Sequence, residues 1–269
     1  KGRKIPVPLV TQPCLWYDMI INVISEGEVL SMSAVDYRRA LHRIPELDNQ
    51  LPETVQLVQR ILAPLPCRVF SPITGSVCAW FDAGKSDAVA FRAELDALPV
   101  TEATDLPYAS VHPGRMHACG HDAHTAILLA AAKLLKRHES EINGTVRLLF
   151  QPGEEWPGGA EPMVKDGVME NPKVDYMLAL HTTRKTEEPY QNGAVIISNK
   201  YVSASDEQIY VTVKGRGGHG CAPDECIDPI AAAVLIINNL QYIVSREVSP
   251  LNSSVITIAT VRAGNGTSN

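Results

Sequence analysis

The chain has no apolar run near the ~20 residues that a bilayer-spanning helix needs, and its first ten residues, broken by Pro6 and Pro8, lack the apolar stretch of a signal peptide. It has no CxxC pair either. Its six cysteines, at 14, 67, 78, 119, 221 and 226, are scattered through a chain long enough to fold without staples. Reduced thiols, a cytoplasmic location and no membrane partner are expected, and the sequons at Asn143, Asn252 and Asn265 then carry little meaning. Basic residues are not in excess. With 24 Lys and Arg against 30 Asp and Glu, the formal charge is -6 and no basic stripe exists to hold a phosphate backbone, which argues against nucleic acid. Internal repeats and low-complexity segments are also absent.

What remains is ordinary globular composition, 45% hydrophobic and 20% charged. A length of 269 residues suits one full domain plus part of another. Residues 1–32 show no clean period and are expected to be an extension outside the fold, since helical spacing begins with "SAVDYRRALHRIPEL" after Met32. From about 67 onward, the short apolar runs "CRVFS", "SVCAWF", "DAVAFRAEL", "TVRLLFQ" and "DYMLALH" alternate with helical patterns. That alternation predicts an α/β domain with a mostly parallel sheet over 33–200. One helix is predicted over about 122–138 with Ile127, Ala131, Leu134 and Leu135 on its buried face. A shorter helix is expected in "GGAEPMVKDGVM". After 200 the pattern becomes strand, helix, strand: "EQIYVTVKG", "DPIAAAVLIINNLQYIVS" with Pro229 in the first turn, and "SSVITIATVRAG".

Three apolar runs end in groups that bind metal or move protons: Glu94 and Asp96, Glu154 and Glu155, and His181. Ligands of open α/β sheets sit beyond the carboxyl ends of the strands, so these ends should face one crevice. The segment "MHACGHDAHT", 116–125, joins them because it leads directly into the predicted helix. A helix N-terminus favours a thiolate on Cys119. Cys119, His121, Glu155 and His181 then form a mixed S/N/O set that suits Zn²⁺ or Mn²⁺. Glu154 and Glu155 diverge as neighbours, so one can ligate while the other acts as base. Taken singly, a buried Cys, a strand-end His or an acidic turn is usually structural; the expectation rests on their meeting.

"RAELDALP", "MHACGHDAHTAILLAAAKLL", "LLFQPGEE" followed by "GGA", "LALHTT" and "VTVKGRGGHGCAP" resemble, in order and spacing, the metal-dependent amidohydrolases and metallopeptidases related to aminoacylase, hippurate hydrolase and the plant indole-acetyl-amino-acid hydrolases. The resemblance runs from about Arg38 to Asn269. It implies a dinuclear site of two divalent ions, Zn or Mn, in a peptidase-like catalytic domain, with a ferredoxin-like α+β lid that dimerises. It implies Cys119, His121, Glu155 and His181 as ligands, Glu154 as general base, and Asp96 and Asp122 behind the ligands. His219 of "GGHG" would reach a partner subunit's site and hold the scissile carbonyl oxygen, and Asn269 would help to read the substrate's carboxylate. The implied reaction is hydrolysis of the amide bond of an N-acyl amino acid or short peptide by metal-activated water.

This chain departs from the family's pattern at Glu94, where Asp is common, and it stops at Asn269, where the family reads on. Only the first β-α-β of the lid, 201–269, is expected, without the C-terminal histidine of the second metal. The alternative is therefore a non-catalytic binding or dimerisation protein, or an inactive fragment. A dinucleotide fingerprint at Gly215, Gly217 and Gly220 is disfavoured because "CAPDECIDP" separates the glycines from the next helix. Cys221 and Cys226, at C-x4-C spacing, read as ordinary loop cysteines.

Overall fold

The computed structural model describes residues 31–84, 87–183, 193–197, 205 and 207–264. Most of the expected extension, and Asn269, lie outside the described residues. The chain divides into two compact units, Lys1–Tyr190 and Gln191–Asn269.

The first unit opens with helix α1, Ala34–Arg43, started by a reciprocal cap: the Ser33 hydroxyl accepts from the Asp36 N–H, and the Asp36 carboxylate accepts from the Ser33 N–H. Helix α2, Pro52–Leu62, has proline at its start, where no N–H is needed, and buries Leu57, Val58, Ile61 and Leu62. Five strands follow the expected apolar runs: β1 (Arg68–Phe70), β2 (Val77–Asp82), β3 (Ala88–Glu94), β4 (Thr145–Gln151) and β5 (Tyr176–Ala179). Helix α3, His121–Arg137, crosses from β3 to β4, and the short α4, Ala160–Lys165, precedes β5.

The sheet has the order β1-β2-β4-β3-β5. The strands that carry the candidate site, β4, β3 and β5, are mutually parallel, as the α/β pattern predicts, and pair Glu94 with Gln151 and Arg92 with Ala179. Their carboxyl ends therefore lie side by side. β1 and β2 add an antiparallel edge, because only the connection 71–76, with its turn at Thr74–Gly75, separates them and no crossover helix intervenes. The sheet is thus mixed.

Alternation along β2 sends Val77, Ala79 and Phe81 to one face and Cys78 to the other. The first face packs against α1, α2 and α3, and the second is covered by Met163, Val168 and Val174. The rotation of α3 differs from expectation. Ile127 and Leu134 are 42% and 53% exposed, while Leu128, Leu129 and Ala132 are buried together with His121, Asp122 and Thr125. The polar residues of its first turn must face inward, and that turns the apolar stripe by about one residue.

β4 carries a buried cation. Arg147 sits over the Trp80 ring, 4.1 Å from its centroid, and donates to the carbonyls of Val168 at 2.5 Å, Glu170 at 2.8 Å and Pro172 at 2.6 Å. It pins the loop between α4 and β5 to the sheet.

In the second unit, helix α5, Pro229–Tyr242, begins as expected, with Asp228 accepting from the N–H groups of Ile230 and Ala231 and Pro229 in the first turn. The segments expected as flanking strands, 207–215 and 253–264, form no ladder among the described residues. No described helix is long and apolar enough to cross a membrane.

Arg147→Met keeps the volume but leaves three carbonyls without their donor. It is expected to lower stability by about 2–4 kcal/mol, read as a lower urea midpoint at unchanged slope.

Candidate metal centre

At the end of β3, Asp96 is fully buried and turns its carboxylate toward the loop after β4. One oxygen accepts from the Glu154 N–H and the other from the Glu155 N–H, both at 2.9 Å. Leu95 N–H donates to the Gln151 carbonyl at 2.8 Å, continuing the strand pairing into the loop. The two glutamates are therefore held by their backbones at the crevice.

The Asp96 carbonyl oxygen has a second task. His121, the first residue of α3, donates from Nδ1 to it at 2.9 Å. That bond puts the ring proton on Nδ1 and leaves a lone pair on Nε2. Nε2 is buried without a hydrogen-bond partner among the described residues, 3.7 Å from Glu154 Oε2 and 4.0 Å from Glu155 Oε1. A buried lone pair facing carboxylates is costly unless a cation joins them.

His181, just past β5, repeats the arrangement. Nδ1 donates to the Thr182 carbonyl at 2.6 Å, and Nε2 faces Cys119 Sγ at 3.4 Å. Ligand atoms of Cys119, His121 and His181 lie within 4.8 Å of one another, as do those of His121, Glu154 and Glu155. His121 belongs to both groups. The donor set mixes thiol, imidazole and carboxylate and fits borderline divalent ions.

A third group, Glu94, His121 and His124, is equally compact, but His124 has no nitrogen to spare. Its Nδ1 bonds to Glu94 Oε2 at 2.7 Å, and its Nε2 accepts from the Thr182 N–H at 2.8 Å. Glu94 also bonds to Arg92 Nη1 at 2.5 Å. Burial works against ionisation of Glu94, yet the His124 hydrogen bond and the Arg92 charge hold it down at about 2. This pair braces the loop that carries His181, a role for Glu94 and His124 that residue type and spacing do not reveal.

Cys119 corrects the thiolate expectation. Burial, the Glu155 hydrogen bond and the charges of Glu155, Glu154 and Glu94 push its thiol up to about 12. The N-cap of α3 is Gly120, so Cys119 lies outside the helix, and nearby carboxylates outweigh any help from the helix end. Only a cation among these donors reverses that balance, because a thiol must lose its proton to ligate.

Of the other candidates, Asp122 points away from the donors toward α1, accepting from Arg38 and His42. His117 is buried, with no hydrogen-bond partner for either ring nitrogen among the described residues, and burial lowers it to about 4. His219 lies in the second unit, with Nδ1 3.2 Å from Cys221 Sγ. A cleft of about 410 Å³ opens beside Cys119 and Gly120, bounded by Arg38, Met116 and Thr182.

With one buried and one exposed imidazole lone pair facing a thiol and paired glutamates beside parallel strand ends, the arrangement is that of a divalent-metal site in an α/β fold. Residues 90–259, more than half of the chain, match Peptidase family M20/M25/M40, and the chain belongs to that family. It is 41% identical over 235 residues to IAA-amino acid hydrolase ILR1-like 4 of Arabidopsis thaliana, covering 86% of this chain and 51% of that protein. It is 40% identical over 233 residues to the N-acyl-L-amino acid amidohydrolase of Geobacillus stearothermophilus, covering 86% and 61%. The crystal structure of Bacillus subtilis YXEP, a dinuclear metal binding peptidase from the M20 family, is 34% identical with a TM-score of 0.53, over 59% of this chain and 44% of that one. The chain thus spans between half and two thirds of the length of these curated relatives.

Gly120 adopts φ 87°, and a Cβ there would collide with the Thr182 hydroxyl. Gly120→Ala is expected to cost about 1–3 kcal/mol through backbone strain and to part Cys119 from His181. Thermal unfolding checks the first effect, and the histidine C2-proton resonances, with His181→Gln for assignment, check the second.

Proposed function

We propose that the chain carries the metal-binding part of an amidohydrolase that cleaves the amide bond of N-acyl amino acids or related small conjugates. The observation that carries this reading is His121, whose buried Nε2 lone pair faces Glu154 and Glu155 and shares its surroundings with Cys119 and His181. The names of the relatives support the substrate class, and the dinuclear metal binding of the Bacillus subtilis peptidase supports a pair of ions; the mixed donor set suits Zn or Mn.

In this reading Cys119, His121, Glu155 and His181 hold the metal. Two divalent ions bound there would polarise the acyl carbonyl and acidify a water. Glu154 is the base: its side chain is 41% exposed against 29% for Glu155, so it can meet substrate while its neighbour stays closer to the thiol. It takes the water's proton and returns it to the leaving amine. Asp96 keeps both glutamates in register from behind, and Asp122 steadies the start of α3. His219 donates to the scissile carbonyl oxygen in a partner subunit, and Asn269 contributes to reading the carboxylate. Residues 33–200 form the catalytic part, and 201–269 belong to a lid that dimerises. The protein works in the cytoplasm.

Metal content and hydrolysis of N-acetyl and N-benzoyl amino acids by the 269-residue protein test this reading. Near one or two tightly held ions per chain are expected, abolished by Cys119→Ala. Glu154→Gln is expected to keep the metal and lose about 10²–10⁴-fold in turnover. Metal without turnover would favour a binding role, and no metal in either form would refute the site.

A further inference from the structure

Two basic side chains on α1, the buried His42 and the partly exposed Arg38, lie outside the donor set, yet they grip the segment that carries two of its members. Arg38 and His42 are four residues apart and so share one face of α1. Both reach the same oxygen of Asp122: Arg38 Nε at 2.8 Å and His42 Nδ1 at 2.7 Å. On its other side, His42 Nε2 meets Glu102 Oε1 at 3.2 Å. The His42 ring also packs near His117, with centroids 6.3 Å apart. His42 therefore touches both ends of the stretch 117–122, and Cys119 and His121 lie between those ends.

Beyond that contact, the stretch is held by the His121 Nδ1 bond to the Asp96 carbonyl and by the Leu98–Met116 bridge just before it. The N-cap of α3 is Gly120, which has no side chain to cap the helix. Asp122, in the first turn, points its carboxylate out to α1. His117 has no hydrogen-bond partner among the described residues, so packing alone holds it. The angle at which Cys119 and His121 are presented thus depends on the contact with α1 as well as on Asp96.

We infer that His42 is a positioning residue of the metal centre, acting through Asp122 and His117 to hold Cys119 and His121 at ligating separation. The inference rests on the metal-binding reading above. Asp122 was expected behind the ligands; the structure extends that support to α1 and makes His42, held between the acids Asp122 and Glu102, its hinge. Outer partners of this kind commonly set metal affinity by 10–100-fold.

The test is Co²⁺ titration of the metal-stripped 269-residue protein, reading affinity by chelator competition and the thiolate-to-cobalt charge-transfer absorption. Each variant is measured below its own unfolding midpoint. Wild type is expected to show the thiolate band and Cys119→Ala to lack it. His42→Leu, which removes both ring donors, is expected to bind at least about 10-fold more weakly with a changed band. His42→Asn, whose amide N–H can replace the Nδ1 donor to Asp122, is expected to recover most of that loss. Should His42→Leu fail to fold, Arg38→Gln, changed at a partly exposed side chain, is expected to weaken binding in the same direction. A merely structural residue would lower the melting point without altering affinity or spectrum. Wild-type affinity and spectrum in His42→Leu, or in Arg38→Gln where it takes that variant's place, would overturn the inference, as would an Asn variant as weak as the Leu variant. Absence of the band in wild type would instead overturn the metal-site reading, and this inference with it.

Discussion

Asp96 is the residue on which the crevice depends. Its two carboxylate oxygens take the N–H groups of Glu154 and Glu155, and its carbonyl oxygen takes the Nδ1 proton of His121. Three elements, the end of β3, the loop after β4 and the first turn of α3, therefore converge on one buried residue. Such hydrogen bonds contribute about 1 kcal/mol each, but leaving buried partners unmet costs about 1–3 kcal/mol each. Burial itself raises the Asp96 carboxyl, and the two N–H donors work against that shift. Any change at Asp96 would move both glutamates and reorient the imidazole together.

Around this anchor, the electrostatics divide into a satisfied half and an unsatisfied half. Glu94 has its counter-charge in Arg92 and a hydrogen bond from His124, and it stays ionised. Asp122 likewise has Arg38 and His42. Glu154 and Glu155 have no Lys or Arg ion partner among the described residues; the nearest titratable nitrogen is the buried His121 Nε2. Burial together with the same glutamates holds Cys119 protonated. Carboxylates, a thiol and two outward lone pairs without a cation form a set that folding alone would not select. The stabilising contacts have been placed one shell further out.

The sequence makes legible what depends on residue type and strand polarity. All five apolar runs became strands, and because β3, β4 and β5 run parallel, Asp96, the glutamates and His181 arrived at one edge. Helix α3 starts within one residue of expectation. Its rotation was not legible, because Ile127 and Leu134 look more apolar than His121, Asp122 and Thr125, which are nonetheless the buried ones. The double bond to Asp96 was hidden for another reason: its donors are backbone groups, which every residue has. His42 was hidden by distance, being 80 residues from Asp122. The segments at 207–215 and 253–264 alternate like strands, but alternation specifies a face and not a partner, and among the described residues neither has one.

The histidines show how one residue type is sorted into different tasks. What decides each role is the second ring nitrogen. In His121 and His181, Nδ1 is spent on a backbone carbonyl, which fixes the tautomer and frees Nε2 toward the donors. In His124 both nitrogens are spent, one on Glu94 and one on the Thr182 N–H, so the ring becomes a brace although it lies as close to its neighbours as a ligand would. In His42 both nitrogens face carboxylates, which suits a charged hinge and excludes ligation. Proximity admits all four rings to the neighbourhood of the centre, and the hydrogen bonds around each ring leave only two of them with a nitrogen turned toward the other donors.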